Sequence, residues 1–391
     1  MKQQLNKFID SISEEIIKMA DYIFDNPEIG LQEYKASKLL LDYLTKNGFT
    51  VEKGIAEMDT AFRAVYENGH GGPSIGLLCE YDALEGLGHA CAHHMQGPAI
   101  VGTAVALKEV IKDMPYKIVV YGTPAEETIG GKIKMLEHGY FRDIDIALMM
   151  HGSPTTTTDI KSLAMSNFRV AFKGKSAHAA VKPEDGRSAL DALILLFQGI
   201  EFLREHVKDD VRIHYVVTNG GGAVNIVPSL AEGKFSLRSY NRLYLDEVIE
   251  RFKKVVQGAA LMTETDFQIL EEKSLDNKIP VIKLNDILME NAKNLNAPNI
   301  RPPREKTGSS DFGNVMYNVP GSCIRIAFVP EGTSSHSEQY IQAGKTKAAH
   351  DAIILAAKIL SATCYDIISN KTLLTQIKEE FEMNKRRAEN A

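Results

Sequence analysis

The chain of 391 residues has no uninterrupted apolar run of 18 residues, so no membrane-spanning helix is expected. Internal repeats and low-complexity segments are also absent. Cysteine is scarce: four residues, Cys79, Cys91, Cys323 and Cys364, are widely spaced and form no framework pattern. That spacing argues for free thiols or metal ligands rather than disulfides. There is no excess of positive charge. The formal net charge is −6, which gives no reason to expect a nucleic-acid or anionic-membrane partner. The opening residues enter an amphipathic pattern without the apolar core of a signal peptide, and the cytoplasm is the expected compartment.

What remains is a globular composition, 44% hydrophobic and 25% charged, in a chain too long for one ordinary core, so two domains are expected. Helical patterns cover residues 5–25 and 32–47, separated by Asn26-Pro27-Glu28-Ile29-Gly30, a Pro/Gly break. Apolar runs at 62–66, 75–80, 118–123 and 146–151 then alternate with helical stretches such as 97–111. This predicts an α/β layer with a mostly parallel sheet and its site at the C-terminal strand ends. From about Asn167 the pattern becomes β-α-β-β-α-β, the split ferredoxin-like unit. The expected division is a discontinuous metal-binding domain, 1–165 with 278–391, and an inserted domain, 166–277.

Five dispersed residues have the chemistry of one metal site. Cys91 and His93 lie in Gly88-His89-Ala90-Cys91-Ala92-His93-His94, Glu127 follows Glu126 in Thr123-Pro124-Ala125-Glu126-Glu127, His151 ends an apolar run, and His336 lies in a polar loop. Thiolate, imidazole and carboxylate together suit zinc, manganese or a similar ion. Paired glutamates are usually a solvated helix face. Here they end an apolar strand, where two carboxylates are costly unless they are paired or bind metal. One can ligate while the other, Glu126, takes a proton from water. Asp82, which also ends an apolar run, can orient a ligand imidazole, or it can cap a turn. His70, His138, His206, His214 and His350 have no motif around them. Gly72-Pro73-Ser74-Ile75-Gly76 matches the serine-hydrolase elbow but precedes its strand instead of following it. A cysteine nucleophile, Cys91 with His93, leaves Glu126, Glu127 and His151 without a shared role.

With these residues the chain resembles the di-metal peptidase and amidohydrolase family of carboxypeptidase G, aminoacylase and succinyl-diaminopimelate desuccinylase. It is most similar to the Cys-Gly-His branch of hippurate and p-aminobenzoyl-glutamate hydrolases. The resemblance runs from Asn26-Pro27-Glu28-Ile29-Gly30 to His336, with Glu80-Tyr81-Asp82-Ala83-Leu84 and Gly308-Ser309-Ser310-Asp311-Phe312-Gly313 pointing to the aminobenzoyl-glutamate hydrolase and dipeptidase subgroup. It implies a zinc-peptidase-like catalytic domain with an inserted lid and dimerisation domain. Cys91, His93, Glu127, His151 and His336 would be the ligands of one or two divalent ions, zinc first, with manganese, cobalt or nickel as alternatives. Glu126 would be the general base. His178, in Gly174-Lys175-Ser176-Ala177-His178, would polarise the scissile carbonyl in the partner subunit's site. Asn225, Arg238, Gly308 and Ser309 would bind substrate. The implied reaction is hydrolysis of an amide bond in N-acyl amino acids, dipeptides or aminobenzoyl-glutamate-like conjugates by a homodimer or larger assembly. Three positions depart from the branch: Ala92 for Gly, His94 for Asp or Asn (a further possible ligand), and Glu85 for Pro. A binding or sensor protein with a spoiled site, and a cysteine-dependent acyltransferase, are the alternatives.

Overall fold

The computed structural model describes residues 1–390, the Lys306 side chain excepted. They divide into two compact units, residues 1–161 with 278–387, and residues 162–277 with those from 388 onward.

Helices α1 (Lys2–Ser11), α2 (Ser13–Asp25) and α3 (Tyr34–Lys46) open the chain. The single helix expected over 5–25 is divided at Ile12, which leaves helical geometry (φ −106°, ψ 7°). The flanking hydroxyls explain the break: Ser11 donates to Phe8 O and Ser13 to Asp10 O, local bonds that compete with the helical ladder. Strands β1 (Thr50–Lys53), β2 (Phe62–Asn68) and β3 (Ser74–Cys79) follow, then α4 (Gln96–Val110), β4 (Tyr116–Gly122), α5 (Gly131–Glu137), β5 (Ile146–Ser153) and β6 (Asp159–Ser162). Helix α4 is buried from Gln96 through Leu107, as expected of a helix apolar on every side. Its Gly102 lets α2 approach closely, since a Cβ there would stand 2.5 Å from Ile16 Cδ1.

The smaller unit contains β7 (Ala164–Lys173), α6 (Ala189–Arg204), β8 (Arg212–Asn219), β9 (Leu230–Ser239), α7 (Arg242–Thr263) and β10 (Asp266–Leu275). Its antiparallel sheet has the order β10-β7-β9-β8, the arrangement of a split βαβ unit. Phe168, Phe172, Leu193, Leu196, Phe235 and Phe252 form its core between sheet and helices. Both helices start on side-chain caps: Ser188 accepts from Asp191 N and Asn241 from Tyr244 N, each worth about 1 kcal/mol. Along β9, buried Ala231, Phe235, Leu237 and Ser239 alternate with outward Glu232, Lys234, Ser236 and Arg238.

The larger unit resumes with α8 (Ile282–Asn294), β11 (Arg304–Thr307), α9 (Phe312–Asn318), β12 (Gly321–Ala327), α10 (Glu338–Ala343), α11 (Lys347–Ser369) and α12 (Lys371–Glu389). Its six-stranded sheet has the order β1-β2-β4-β3-β5-β12. β3 runs parallel to β4 and β5, and β12 parallel to β5, while β1 and β2 are antiparallel. Helices α4 and α11 pack on one face. Met135 of α5 and Phe312, Val315 and Met316 of α9 pack on the other, against Val119, Tyr121 and Met149. β6 pairs with β11 in a separate two-stranded sheet, which no periodicity announced. By length and composition α11 could cross a membrane, but 67% of its apolar window is buried inside the fold. Its apolarity is that of a core helix. The four neighbouring parallel strands β4, β3, β5 and β12 end on the same side, so the loops that follow them come together there.

Candidate functional site

Each strand end supplies part of one cluster. Glu80 and Asp82 follow β3, Glu126 and Glu127 follow β4, and His151 lies near the end of β5. Cys91 and His93 lie just before α4. The His336 loop after β12 is tied to them by a hydrogen bond from His336 N to Ala90 O, 3.0 Å. The ligand atoms of Cys91, His93 and His151 lie within 4.8 Å of one another, as do those of Cys91, Glu127 and His336, and those of His93, Glu126 and Glu127. Cys91 is common to the first two groups, with its Sγ 3.6 Å from His151 Nε2. His336 Nε2 lies 3.2 Å from Glu127 Oε1. Yet Glu127 Oε1 and His93 Nε2 are both buried without a hydrogen-bond partner. Buried polar atoms normally have one. His93 Nε2 also lies 3.2 Å from Glu80 Oε2, so sulfur, nitrogen and oxygen donors crowd together here with more lone pairs than hydrogen bonds to fill them, and the residues fit a divalent ion.

The backbone is strained at the same place. Ala92, Ala125 and His336 have φ of 61°, 61° and 60°, the left-handed region, which costs a residue other than glycine roughly 1–2 kcal/mol. This accounts for glycine in the Cys-Gly-His motif. Ala92 adopts the same turn at an energetic cost, and both flanking ligands keep their place. Ala125 turns the chain so that Glu126 and Glu127 both enter the cluster. Gly30 makes room for that turn, because a Cβ there would stand 3.0 Å from Ala125 Cα.

A second layer supports the first. Asp82 accepts from Glu127 N at 3.0 Å, and its Oδ1 lies 3.2 Å from His93 Nδ1. Beneath Glu126, the fully buried Lys132 donates to Glu80 at 2.5 Å and Asp311 at 2.6 Å, and Gln96 Nε2 donates to Glu80 at 2.7 Å. Oxygen atoms of Glu80, Glu126 and Asp311 lie within 4.8 Å of one another. Burial and the charges of Glu80 and Asp311 push the Glu126 carboxyl up to about 8. Burial, Arg325 and His93 hold His151 down to about 3, which keeps the ring neutral, with Nε2 facing Cys91 Sγ. Burial pushes the Cys91 thiol up to about 12, with Glu127 and Glu126 adding to the rise.

Other expected residues lie elsewhere. His94, considered as a further ligand, turns away. Its Nε2 lies 2.9 Å from Gly344 O, and its ring meets Phe24 edge-on at 4.8 Å. Gly308 and Ser309 precede Asp311 in the loop after β11, where Ser309 Oγ is buried without a hydrogen-bond partner. His178, Asn225 and Arg238 belong to the smaller unit. His178 bridges to Ile226, and Ala179 N donates to Asn225 O at 2.9 Å. Arg238 stands opposite Arg212 on β8. Sequence reasoning did not anticipate Lys132 or Arg325. The only trace of Lys132 was its place after Gly130-Gly131, and Arg325 lies inside an apolar run that read as an ordinary strand.

Residues 162–263 match the peptidase dimerisation domain family. The chain is 32% identical to the Xaa-Arg dipeptidase of Mus musculus over 398 residues, which covers 97% of this chain and 92% of the relative. It is 29% identical to one of the polypeptides of the p-aminobenzoyl-glutamate hydrolase of Escherichia coli, covering 97% and 95% of the two chains. A dinuclear metal-binding peptidase of the M20 family from Bacillus subtilis superposes with a TM-score of 0.72 at 18% identity, over 92% of this chain and 99% of that one, a likeness of fold. With the first relative matched at that identity over nearly its whole length, the chain belongs to the M20 family of metallopeptidases and amidohydrolases.

Proposed function

We propose that the chain hydrolyses an amide or peptide bond in small carboxylate-bearing substrates: N-acyl amino acids, dipeptides or aminobenzoyl-glutamate-like conjugates. One observation carries the reading. His93 Nε2 and Glu127 Oε1 are buried without hydrogen bonds inside a cluster that also holds Cys91, His151 and His336, and Glu126 stands beside it. Cys91, His93, Glu127, His151 and His336 would hold one or two divalent ions, zinc first, then manganese, cobalt or nickel. A bound ion supplies Lewis acidity and lowers the pKa of nearby water. Glu126 removes a proton from the attacking water and delivers it to the leaving amine. Asp82 keeps His93 and Glu127 oriented through its two hydrogen-bonding contacts.

Substrate contacts come from Gly308, Ser309, Asn225 and Arg238, and His178 polarises the scissile carbonyl. In support, Arg238 faces Arg212 across the strands, donates from Nε to the neutral Ser236 Oγ at 3.4 Å, and would gain from a substrate anion. We assign the inserted unit to homodimerisation. Its family match is to a dimerisation domain, and the edge strand β8 exposes Val216 and Val217, an unpaired edge that a second copy can extend. The cytoplasm is the compartment, with no nucleic-acid or membrane partner.

A screen of N-acyl amino acids and dipeptides with Zn²⁺, Mn²⁺ or Co²⁺ is expected to show turnover that a chelator abolishes and added metal restores. A binding or sensor protein would bind metal without turnover. A cysteine acyltransferase would survive chelation, and a thiol held up at about 12 is poorly suited to that role. A mixture of Glu126→Ala and His178→Ala chains, each inactive alone, is expected to regain activity in mixed dimers, each of which holds one site with both residues intact. Mixed dimers that form and stay inactive would place His178 outside the partner's site.

A further inference from the structure

Beside the cluster lies a charge imbalance that the proposed chemistry does not use. Asp159 on β6 is buried and takes three cations. Arg304 Nε donates to it at 2.6 Å, Arg325 Nε at 3.0 Å and Lys278 Nζ at 3.2 Å. Two guanidiniums against this one carboxylate already leave an excess of positive charge. The neighbouring carboxylate Glu80 is already bonded to Lys132. A clamp that only joined β6, β11 and β12 would need no such excess, and gathering like charges around one carboxylate is costly. Both arginines spend only Nε on Asp159. Among the described residues, none accepts a hydrogen bond from an Nη of Arg304 or Arg325. Those planar pairs of donors are the part of an arginine that grips a carboxylate.

The location gives the excess a use. Arg325 is in register with His151 on the adjoining parallel strand, so the two side chains leave the same face of the sheet. Tyr340 lies within electrostatic reach of Cys91, Arg325 and Arg304 together. A cation beside a site that collects cations weakens it, unless an anion lies against both. Arg325 is 21% exposed and Arg304 38%, enough for a ligand to reach them.

We infer that Arg325 and Arg304, anchored on Asp159, form a carboxylate-binding subsite next to the metal cluster, so that the preferred substrate carries an acidic group in addition to the one held by Arg238. This rests on the amide-hydrolase reading and narrows it to doubly acidic substrates, whichever half carries the second acid.

The test compares matched substrates, Ala-Ala with Glu-Ala and Ala-Glu, on the metal-loaded enzyme. One acidic member is expected to exceed the neutral one in kcat/KM by about 10–100-fold, the range for a charge-assisted hydrogen-bonded pair. Arg325→Gln and Arg304→Gln should each reduce that ratio toward one, and Arg325→Lys should restore part of it. A ratio near one in the wild type, or a ratio unchanged in both Gln variants, overturns the subsite. An equal loss on all three substrates leaves the ratio unchanged and identifies a structural clamp. Succinate, tested on the metal-free protein, should raise the melting temperature of the wild type and not of Arg325→Gln. Stabilisation by inorganic phosphate equal to that by succinate, with no substrate preference, means a general anion site and also overturns it. If no amide is hydrolysed under any metal, the hydrolase reading fails by itself, and the succinate experiment still decides whether the arginines bind a carboxylate.

Discussion

Replacing Glu126 with alanine is expected to lower kcat by about 10²–10⁴-fold, the usual contribution of a positioned acid–base group, while bound metal per chain stays at the wild-type level. The separation follows from geometry. Glu126 shares its group with His93 and Glu127, but Cys91, Glu127 and His336 form one without it, as do Cys91, His93 and His151. The surroundings of Glu126 also set a pH signature. Burial, Glu80 and Asp311 raise its carboxyl to about 8, opposed by His93 and Lys132. That value belongs to the metal-free protein; bound divalent cations favour the carboxylate and lower it, and because a base works when deprotonated, activity of the metal-loaded enzyme should rise with pH through that lowered value. Glu126→Ala and the isosteric Glu126→Gln should both lack that rising limb. Metal analysis and kcat over the pH range test the two halves separately. A Glu126→Gln enzyme with near-wild-type turnover would remove this residue as the base.

Lys132→Met is expected to produce the largest loss of stability, about 3–5 kcal/mol at neutral pH, the cost of removing one partner from a buried ionic network. Lys132 is fully buried and bonded to both Glu80 and Asp311. Methionine fills similar volume and leaves two carboxyls that must become protonated or stay buried and unpaired. The pH dependence has a definite sign. Burial acts to raise Glu80, but Lys132, His93 and His151 bring it down to about 2, below its ordinary 4.5. Between those values the native state binds fewer protons than the unfolded chain, so this pairing stabilises fully above pH ~4.5 and is lost as pH falls toward 2. The penalty of Lys132→Met should therefore be greatest at neutral pH and shrink on acidification. Denaturant midpoints of metal-free wild type and variant, compared at pH 7 and near pH 4, measure it. An undiminished penalty at low pH would mean that packing and not charge is the function of Lys132.

The two unanticipated residues show where the sequence stops being informative. Cys91, His93, the glutamate pair and His336 each sit in a short local context, between glycines, after an apolar run or in a polar loop, and those contexts are visible without coordinates. Lys132 has no such context. It stands in the first turn of α5, where a lysine normally reads as solvent-facing. Its burial depends on Glu80, 52 residues earlier, and Asp311, 179 residues later. Arg325 is equally silent. It interrupts the apolar alternation of β12, and its meaning depends on Asp159 from β6 and His151 from β5.

Periodicity and composition suffice for elements whose stability is local or one-sided. The alternation of β9, the all-apolar stretch of α4 and the Pro/Gly break before α3 are decided by neighbours a few positions apart, and the α/β and βαββαβ orders follow from them. Charge balance is different. Whether a lysine, an arginine or a second glutamate is solvated, paired or left to await a ligand depends on groups far away in the chain, 52 to 179 residues in the cases above, because electrostatic energy is set by distance through space and by exclusion of water. Only the folded chain could assign Lys132 to Glu80 and Asp311, turn His94 away from the cluster toward Gly344, and gather Arg304 and Arg325 on the single carboxylate of Asp159.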